Sequence, residues 1–229
     1  MSQVDKKEIR SIAILGGTGK EGKGIAFRWA KAGYKVLIGS RKLEKAQAAA
    51  EDLKSLPGCS SADVVGQTNL DAALAADIVA ITVPYQAHQS TLEPLKDVLQ
   101  GKILIDVTVP LVPPKVRKVQ MPEAGSACQE AQQILGSGVN VVAAFQNISF
   151  ENLMKEGDGS CDILVTGSGR AAREVVLKLI ADAGLVGWDA GPIENSVVVE
   201  GLTSVLIGLN KKHGVLSSGI RITGIPRPE

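Results

Sequence analysis

The chain is poor in the side chains that carry most enzyme chemistry. It has two histidines, His88 and His213, and three cysteines, Cys59, Cys128 and Cys161, in 229 residues. The cysteines are odd in number and widely spaced, with no C-x-x-C pair. That pattern excludes a disulfide framework or a zinc site and points to free thiols in a reducing cytoplasm. Two histidines leave little material for a metal centre or a Ser-His-Asp triad. An excess of charge is also missing: 25 basic against 24 acidic residues give a net charge of +1. This argues against nucleic acid and against an anionic membrane surface as partners, since both need a basic surplus. No apolar run approaches the roughly 20 residues of a membrane span, and residues 1–10 are too polar for a secretory leader. Aromatics are only 3% of the chain. A chain of this length can nevertheless bury roughly 70% of the surface its unfolded form exposes.

What the sequence does contain is an alternation of apolar runs with helical segments. Runs at residues 9–15 (IRSIAIL), 34–39 (YKVLIG), 77–83 (DIVAITV), 102–107 (KILIDV) and 140–145 (NVVAAF) read as strands, with a weaker one at 62–65. Helices are expected at 20–33, 42–53, 72–76, 85–99 and 123–135. Continuous Val/Ile/Leu runs suit parallel strands covered on both faces. The alternation predicts an α/β fold: a Rossmann-type doubly wound parallel sheet with a smaller C-terminal α/β portion. In that portion, strands at 162–165 and 185–188 flank a helix at 171–183, and a last helix covers 194–211. Pro110, Pro113 and Pro114 mark a stiff crossover. The domain expectation is a Rossmann-type domain at 1–147 and a smaller C-terminal portion at 148–229.

The most informative stretch is Gly16-Gly17-Thr18-Gly19-Lys20-Glu21-Gly22-Lys23-Gly24. It contains G-x-G-x-x-G at Gly17, Gly19 and Gly22, after an apolar strand and at the start of a helix. The three glycines serve a tight turn, close backbone approach to a pyrophosphate, and tight helix-on-strand packing. The helix start then turns free N–H groups and its positive dipole end towards the phosphates. A site for NAD usually carries Asp or Glu about 20 residues further on, to hold the ribose 2′-OH. Here the sequence reads Gly39-Ser40-Arg41-Lys42. Ser40 and Arg41 suit a 2′-phosphate, with Lys42 or Lys45 adding point charge, so NADP(H) is the expected dinucleotide.

These segments, GGTGKEGKG and GSRKLEKA, resemble the NADPH-dependent F420 reductases, which pass hydride between NADP and a 5-deazaflavin coenzyme. The resemblance continues at ITVPYQAH (81–88), at DVTVPLVP (106–113), at DAGPIENS (189–196), at VEGLT (199–203) and at Gly219-Ile220-Arg221. It implies that Thr18, Ser40 and Arg41 contact NADP and that Val83, Pro84 and Tyr85 form the turn beside the nicotinamide. It implies further that Asn147, Ile148 and Thr203 line the deazaflavin side. The family pattern differs at Gln146 and Asn147, where it has His-Thr, and at Gly201, where it has Ser.

The candidate cofactor contacts are therefore Gly17, Thr18, Gly19, Lys20, Glu21, Gly22, Ser40, Arg41, Lys45, Val83, Pro84 and Tyr85. The hydride path is lined by Pro84, Asn147, Ile148 and Thr203. No side chain is assigned a catalytic role and no metal site is expected; ring proximity and orientation carry the reaction. Among the remaining candidates, His88 reads as a partly exposed helix histidine and His213 as a dipole partner at a helix end. Asp106 reads as the cap of a turn, Cys161 as core and Arg221 as a surface residue. Tyr85 either stacks on a ring or fills the cleft wall. The apolar stretch 197–209 (VVVEGLTSVLIGL) is richer in hydrophobics than one covering face needs, which predicts a homodimer.

The expected function is hydride transfer between NADP(H) and coenzyme F420 in the cytoplasm. Two alternatives stand beside it. One is NADPH-dependent reduction of a flavin or a small imine or carbonyl substrate; the other is a non-catalytic NADPH-binding regulatory module.

Overall fold

The computed structural model describes residues 9–155, 157 and 161–227. Most of the polar stretch 1–10 lies outside the described residues. The strands are β1 (Ser11–Leu15), β2 (Lys35–Ser40), β3 (Val64–Thr68), β4 (Ile78–Ile81), β5 (Ile103–Asp106), β6 (Asn140–Ala143), β7 (Asp162–Gly167) and β8 (Val186–Asp189). The helices are α1 (Lys20–Lys31), α2 (Leu43–Lys54), α3 (Asn69–Ala75), α4 (His88–Leu92), α5 (Ala127–Leu135), α6 (Phe150–Leu153), α7 (Arg170–Asp182) and α8 (Ser196–His213).

One sheet holds all eight strands in the order β3-β2-β1-β4-β5-β6-β7-β8. The first six follow the doubly wound order of dinucleotide-binding folds. Leu15 pairs with Gly39 and Ile81, Ile81 with Asp106, and Asp106 with Ala143. Five strands therefore end on one register row, and the loops leaving that row build the candidate site. The C-terminal strands continue this sheet, and β7 runs antiparallel to β6. Between β6 and β7 the only helix among the described residues is the four-residue α6. Without a full helical crossover the chain re-enters the sheet from the end at which it left.

Alternate residues of the strands face opposite layers. Ile12, Ile14, Val36, Ile38, Ile105 and Val142 pack with Trp29 of α1, Leu53 of α2 and Ile180 of α7. Ala13, Leu15, Leu37, Val79, Ile81, Leu104 and Val141 pack with Leu92, Leu99, Cys128 and Leu135. Trp29 sets its ring edge-on to Phe145, with centroids 5.6 Å apart, and its Nε1 donates to the Leu179 carbonyl at 3.1 Å.

Several boundaries differ from the sequence expectation. The helix expected at 85–99 is broken into a 3₁₀ turn at Tyr85–Ala87, the short α4 and a second 3₁₀ turn at Glu93–Leu95. Pro94 lacks the N–H that an unbroken helix would need. Thr68 caps α3 by accepting from Asp71 N at 3.2 Å, so that helix starts at Asn69 rather than at 72. Ser126 accepts from Gln129 N at 3.0 Å and starts α5 at Ala127 rather than at 123. The weak strand expected at 62–65 is β3, displaced to Val64–Thr68, and the last helix is displaced to Ser196–His213. Helix α6 falls where the sequence pattern predicts no element.

Gly66 is the tightest backbone contact in the sheet: a Cβ there would lie 2.3 Å from the Ala46 carbonyl carbon and the Gln47 nitrogen of α2. Gly66→Ala must push α2 off β3. The expected cost is about 1–3 kcal/mol, as for other overpacked sites, read as a lower midpoint in urea denaturation.

Candidate functional site

The loops at the register row enclose a cleft of about 1170 Å³. At one end lies the glycine loop. Gly16 has φ +74°, and a Cβ there would lie 2.7 Å from Val83 Cγ1. Gly17 donates to the carbonyls of Ile14 and Gly39, both at 3.1 Å, which closes the turn. A Cβ on Gly22 would meet Thr82 Oγ1 at 2.6 Å and Gly17 Cα at 2.7 Å, so its role is the close seating of α1. Gly17 and Gly22 shape the loop from beneath, while Gly16, Thr18, Gly19, Lys20 and Glu21 line the cleft. Gly19 caps α1 without a side chain, which leaves the first-turn amides open towards the cleft. Gly16 belongs to this surface although the spacing motif begins one residue later.

The ends of β2 and β3 supply the second part. Ser40 is buried and its Oγ accepts from Lys42 N at 3.3 Å. Arg41, Lys42 and Lys45 are exposed and line the cleft. Asn69 leans over Gly39, and its Oδ1 is buried with no hydrogen-bond partner among the described residues. An open helix start, three cationic side chains and an orphaned acceptor are what a phosphorylated dinucleotide needs. The residues present therefore fit NADP. Asn69 is invisible to the motif because only the fold brings β3 beside β2.

The third part is the turn after β4. Val83, Pro84 and Tyr85 line the cleft. The Tyr85 hydroxyl donates to Glu130 Oε2 at 2.8 Å, and its ring lies 6.4 Å from the His88 ring at 29°. Burial, followed by the bond to Glu130, pushes the phenol up to about 12. His88 is 1% exposed, contrary to the expectation of a partly exposed histidine. It is held by Asp106, with Nε2 at 2.8 Å from Oδ2. Burial pulls the imidazole down, but the charge and hydrogen bond of Asp106, with Glu130 behind them, leave it raised overall. Asp106 also caps the next turn as expected, since its Oδ1 accepts from Thr108 N at 2.9 Å. Nearby, Glu200 of α8 is fully buried; its carboxylate accepts from Ala127 N at 2.8 Å and Cys128 N at 3.0 Å, at the start of α5. Burial, with Asp106 adding to it, pushes Glu200 up to about 8. Its signal in the sequence is one acid inside an otherwise apolar helix.

The fourth part comes from beyond β6. Phe145 takes φ +74° and turns the chain so that Gln146, Asn147 and Ile148 line the cleft. The Gln146 Nε2 donates to the Asp106 carbonyl at 2.7 Å, which orients its Oε1 away, buried and without a partner among the described residues. Thr203 donates to the Gln146 carbonyl at 2.7 Å. The Asn147 amide is engaged instead with β7: it donates to the Asp162 carbonyl at 2.6 Å and accepts from Leu164 N at 3.3 Å. Gly201 is absent from the cleft lining, and a Cβ there would face Val119 at 3.3 Å. Cys161 is buried, Arg221 is exposed and His213 ends α8, each as expected. Among the described residues no group of His, Cys, Asp and Glu could hold a metal ion.

A doubly wound sheet with a glycine turn at its switch point and a basic pocket beside β2 defines the class of dinucleotide-binding α/β proteins. The family profile described as NADP oxidoreductase, coenzyme F420-dependent, matches residues 11–110. The chain is 40% identical to an F420-dependent NADP reductase of Methanothermobacter thermautotrophicus, over 98% of this chain and 99% of that one. It is 41% identical to the protein of that name from Methanocaldococcus jannaschii, over 93% and 98% of the two chains. The chain belongs to the coenzyme F420-dependent NADP oxidoreductase family. A crystal structure of a candidate F420-dependent NADP reductase from an Arthrobacter species shares the fold, with TM-score 0.77, 24% identity and 94% and 100% coverage.

His88 binds protons more tightly when folded than when unfolded. Its contribution to stability is full below about pH 6.5, the unfolded value, and is lost as pH rises through the raised folded value. His88→Gln keeps an amide donor for Asp106 but does not titrate. Its denaturation midpoint should therefore fall less steeply than that of the parent protein as pH rises above 6.5.

Proposed function

We infer that the chain catalyses hydride transfer between NADP(H) and the deazaflavin coenzyme F420. The observation that carries this reading is the single continuous cleft. It runs from Arg41 and Lys45 over the glycine loop and the Val83–Pro84–Tyr85 turn to Ile148 and Thr203. At about 1170 Å³ it exceeds the roughly 300–1,000 Å³ that one ligand ordinarily occupies.

In this reading Thr18, Gly19, Lys20 and the open amides of α1 hold the pyrophosphate, while Ser40, Arg41 and Lys45 hold the 2′-phosphate. Pro84, the backbone at Asn147, Ile148 and Thr203 line the hydride path. When bound, NADPH supplies the hydride and F420 receives it. The protein's contribution is to hold the two rings face to face and dry between apolar walls. Residues 1–147 act as the NADP-binding unit, and 148–229 complete the acceptor side. Among the described residues no helix is long and apolar enough to cross a membrane, and Cys59, Cys128 and Cys161 are buried; action in the cytoplasm is part of this reading.

Homodimer formation is part of the same reading. Val198, Val205 and Leu209 lie on one face of α8 at spacings of seven and four, exposed by 67%, 49% and 42%. A second copy covering this stripe would hide a surface that is costly in water. Light scattering should report a dimer, and Val198→Glu should shift it to monomer; a monomeric parent protein would overturn this part.

Anaerobic mixing of the protein with NADPH and oxidised F420 should bleach the deazaflavin absorbance. Arg41→Glu should weaken NADPH binding by about 2 kcal/mol or more, roughly thirtyfold, and leave NADH binding unchanged. Tight NADPH binding without bleaching would reject F420 as the acceptor, and equal losses for both dinucleotides would reject the 2′-phosphate assignment.

A further inference from the structure

Glu21 puts a carboxyl group where the cleft is built for the negative charge of a ligand. It sits in the first turn of α1 and lines the cleft beside Thr18, Gly19 and Lys20. A carboxylate there favours the helix dipole but competes with any phosphate bound at the same end. Its Oε1 accepts from Phe150 N at 3.1 Å and so ties the glycine loop to α6. Its Oε2 is buried and has no hydrogen-bond partner among the described residues. From α6, Glu151 adds a second negative charge, while the Phe150 N–H favours the ionised form. On its own helix, Lys23 is engaged by Asp52 of α2 at 3.3 Å, and Lys20 is exposed at the mouth of the cleft.

We propose that Glu21 takes up a proton from solvent when NADP(H) binds, so that affinity for the cofactor falls as pH rises past neutrality. This rests on the cofactor reading above. Burial already pushes the carboxyl up to about 7, and phosphates arriving at the same helix end favour its neutral form further. A neutral carboxyl keeps the Phe150 bond through its carbonyl oxygen and leaves no bare charge at Oε2. The 2′-phosphate acts with the opposite sign. Its second ionisation lies near pH 6, and pairing with Arg41 releases a proton rather than binding one.

Isothermal titration of NADPH at pH 8, in buffers of different ionisation enthalpy, counts the protons directly. NADPH is the right probe because its reduced ring is uncharged. The unaltered protein should take up about half a proton or more per site. Glu21→Gln, which retains an oxygen for Phe150 N, should take up none. From pH 6 to pH 8 the dissociation constant of the unaltered protein should rise about five- to tenfold relative to that of the variant, in which only the 2′-phosphate titrates and shifts affinity the other way. Binding without proton uptake, or equal uptake by both proteins, would overturn the proposal and leave the cofactor reading intact. If NADPH fluorescence shows no binding at all, the cofactor reading falls and this proposal falls with it.

Discussion

Asp106 is the side chain around which the rim of the cleft is arranged. It closes β5 in the middle of the sheet and is wholly buried. A carboxylate in such a place is tolerable only if its oxygens are satisfied. One accepts from Thr108 N and fixes the exit of β5; the other binds His88 and fixes the start of α4. The Asp106 carbonyl then takes the Gln146 amide and so orients the turn after β6. The cleft walls that follow β4, β5 and β6 are thus tied to one residue. Their geometry is set by the electrostatics of a buried charge as much as by apolar packing.

A second set of contacts holds the later segments against the glycine loop. Arg28 of α1 is 8% exposed and donates to backbone carbonyls of Asn152, Leu153, Lys155, Gly157 and Ala183. Gly24 lets Leu153 come close, since a Cβ there would stand 2.9 Å from the Leu153 Cβ. Asn147 is anchored to β7 and Glu21 to Phe150. The glycine-loop end and the Gln146–Ile148 end of the cleft are therefore tied together by one set of contacts.

Much of this was legible beforehand. The strands IRSIAIL, YKVLIG, DIVAITV and KILIDV lie close to where their apolar runs put them, because a buried parallel strand leaves an unbroken hydrophobic signature. The glycine loop was legible because its spacing answers to local backbone geometry, and Arg41 because it follows β2 directly. The unbroken helix at 85–99 was wrong because Pro94 outweighed the apolar spacing. Helix starts at Thr68 and Ser126 were missed because a single capping hydroxyl decided them. The burial of His88 does not show in the sequence, where it reads as a partly exposed helix histidine, because its partner Asp106 lies 18 residues away at the end of β5.

The sequence by itself determined the class of fold, the glycine turn and the basic pocket beside β2. Each rests on residues close together in the chain, where propensity, spacing and charge act directly. Only the tertiary structure decided that β7 runs antiparallel, that Gly201 lies off the cleft lining, that the Asn147 amide bonds to β7, and that buried Asp106, His88 and Glu200 gather beside the half-buried Glu130. It alone decided that Glu21 bridges to Phe150. Those features depend on contacts between residues far apart in sequence, and their energies are set by burial and by partners that no local pattern records.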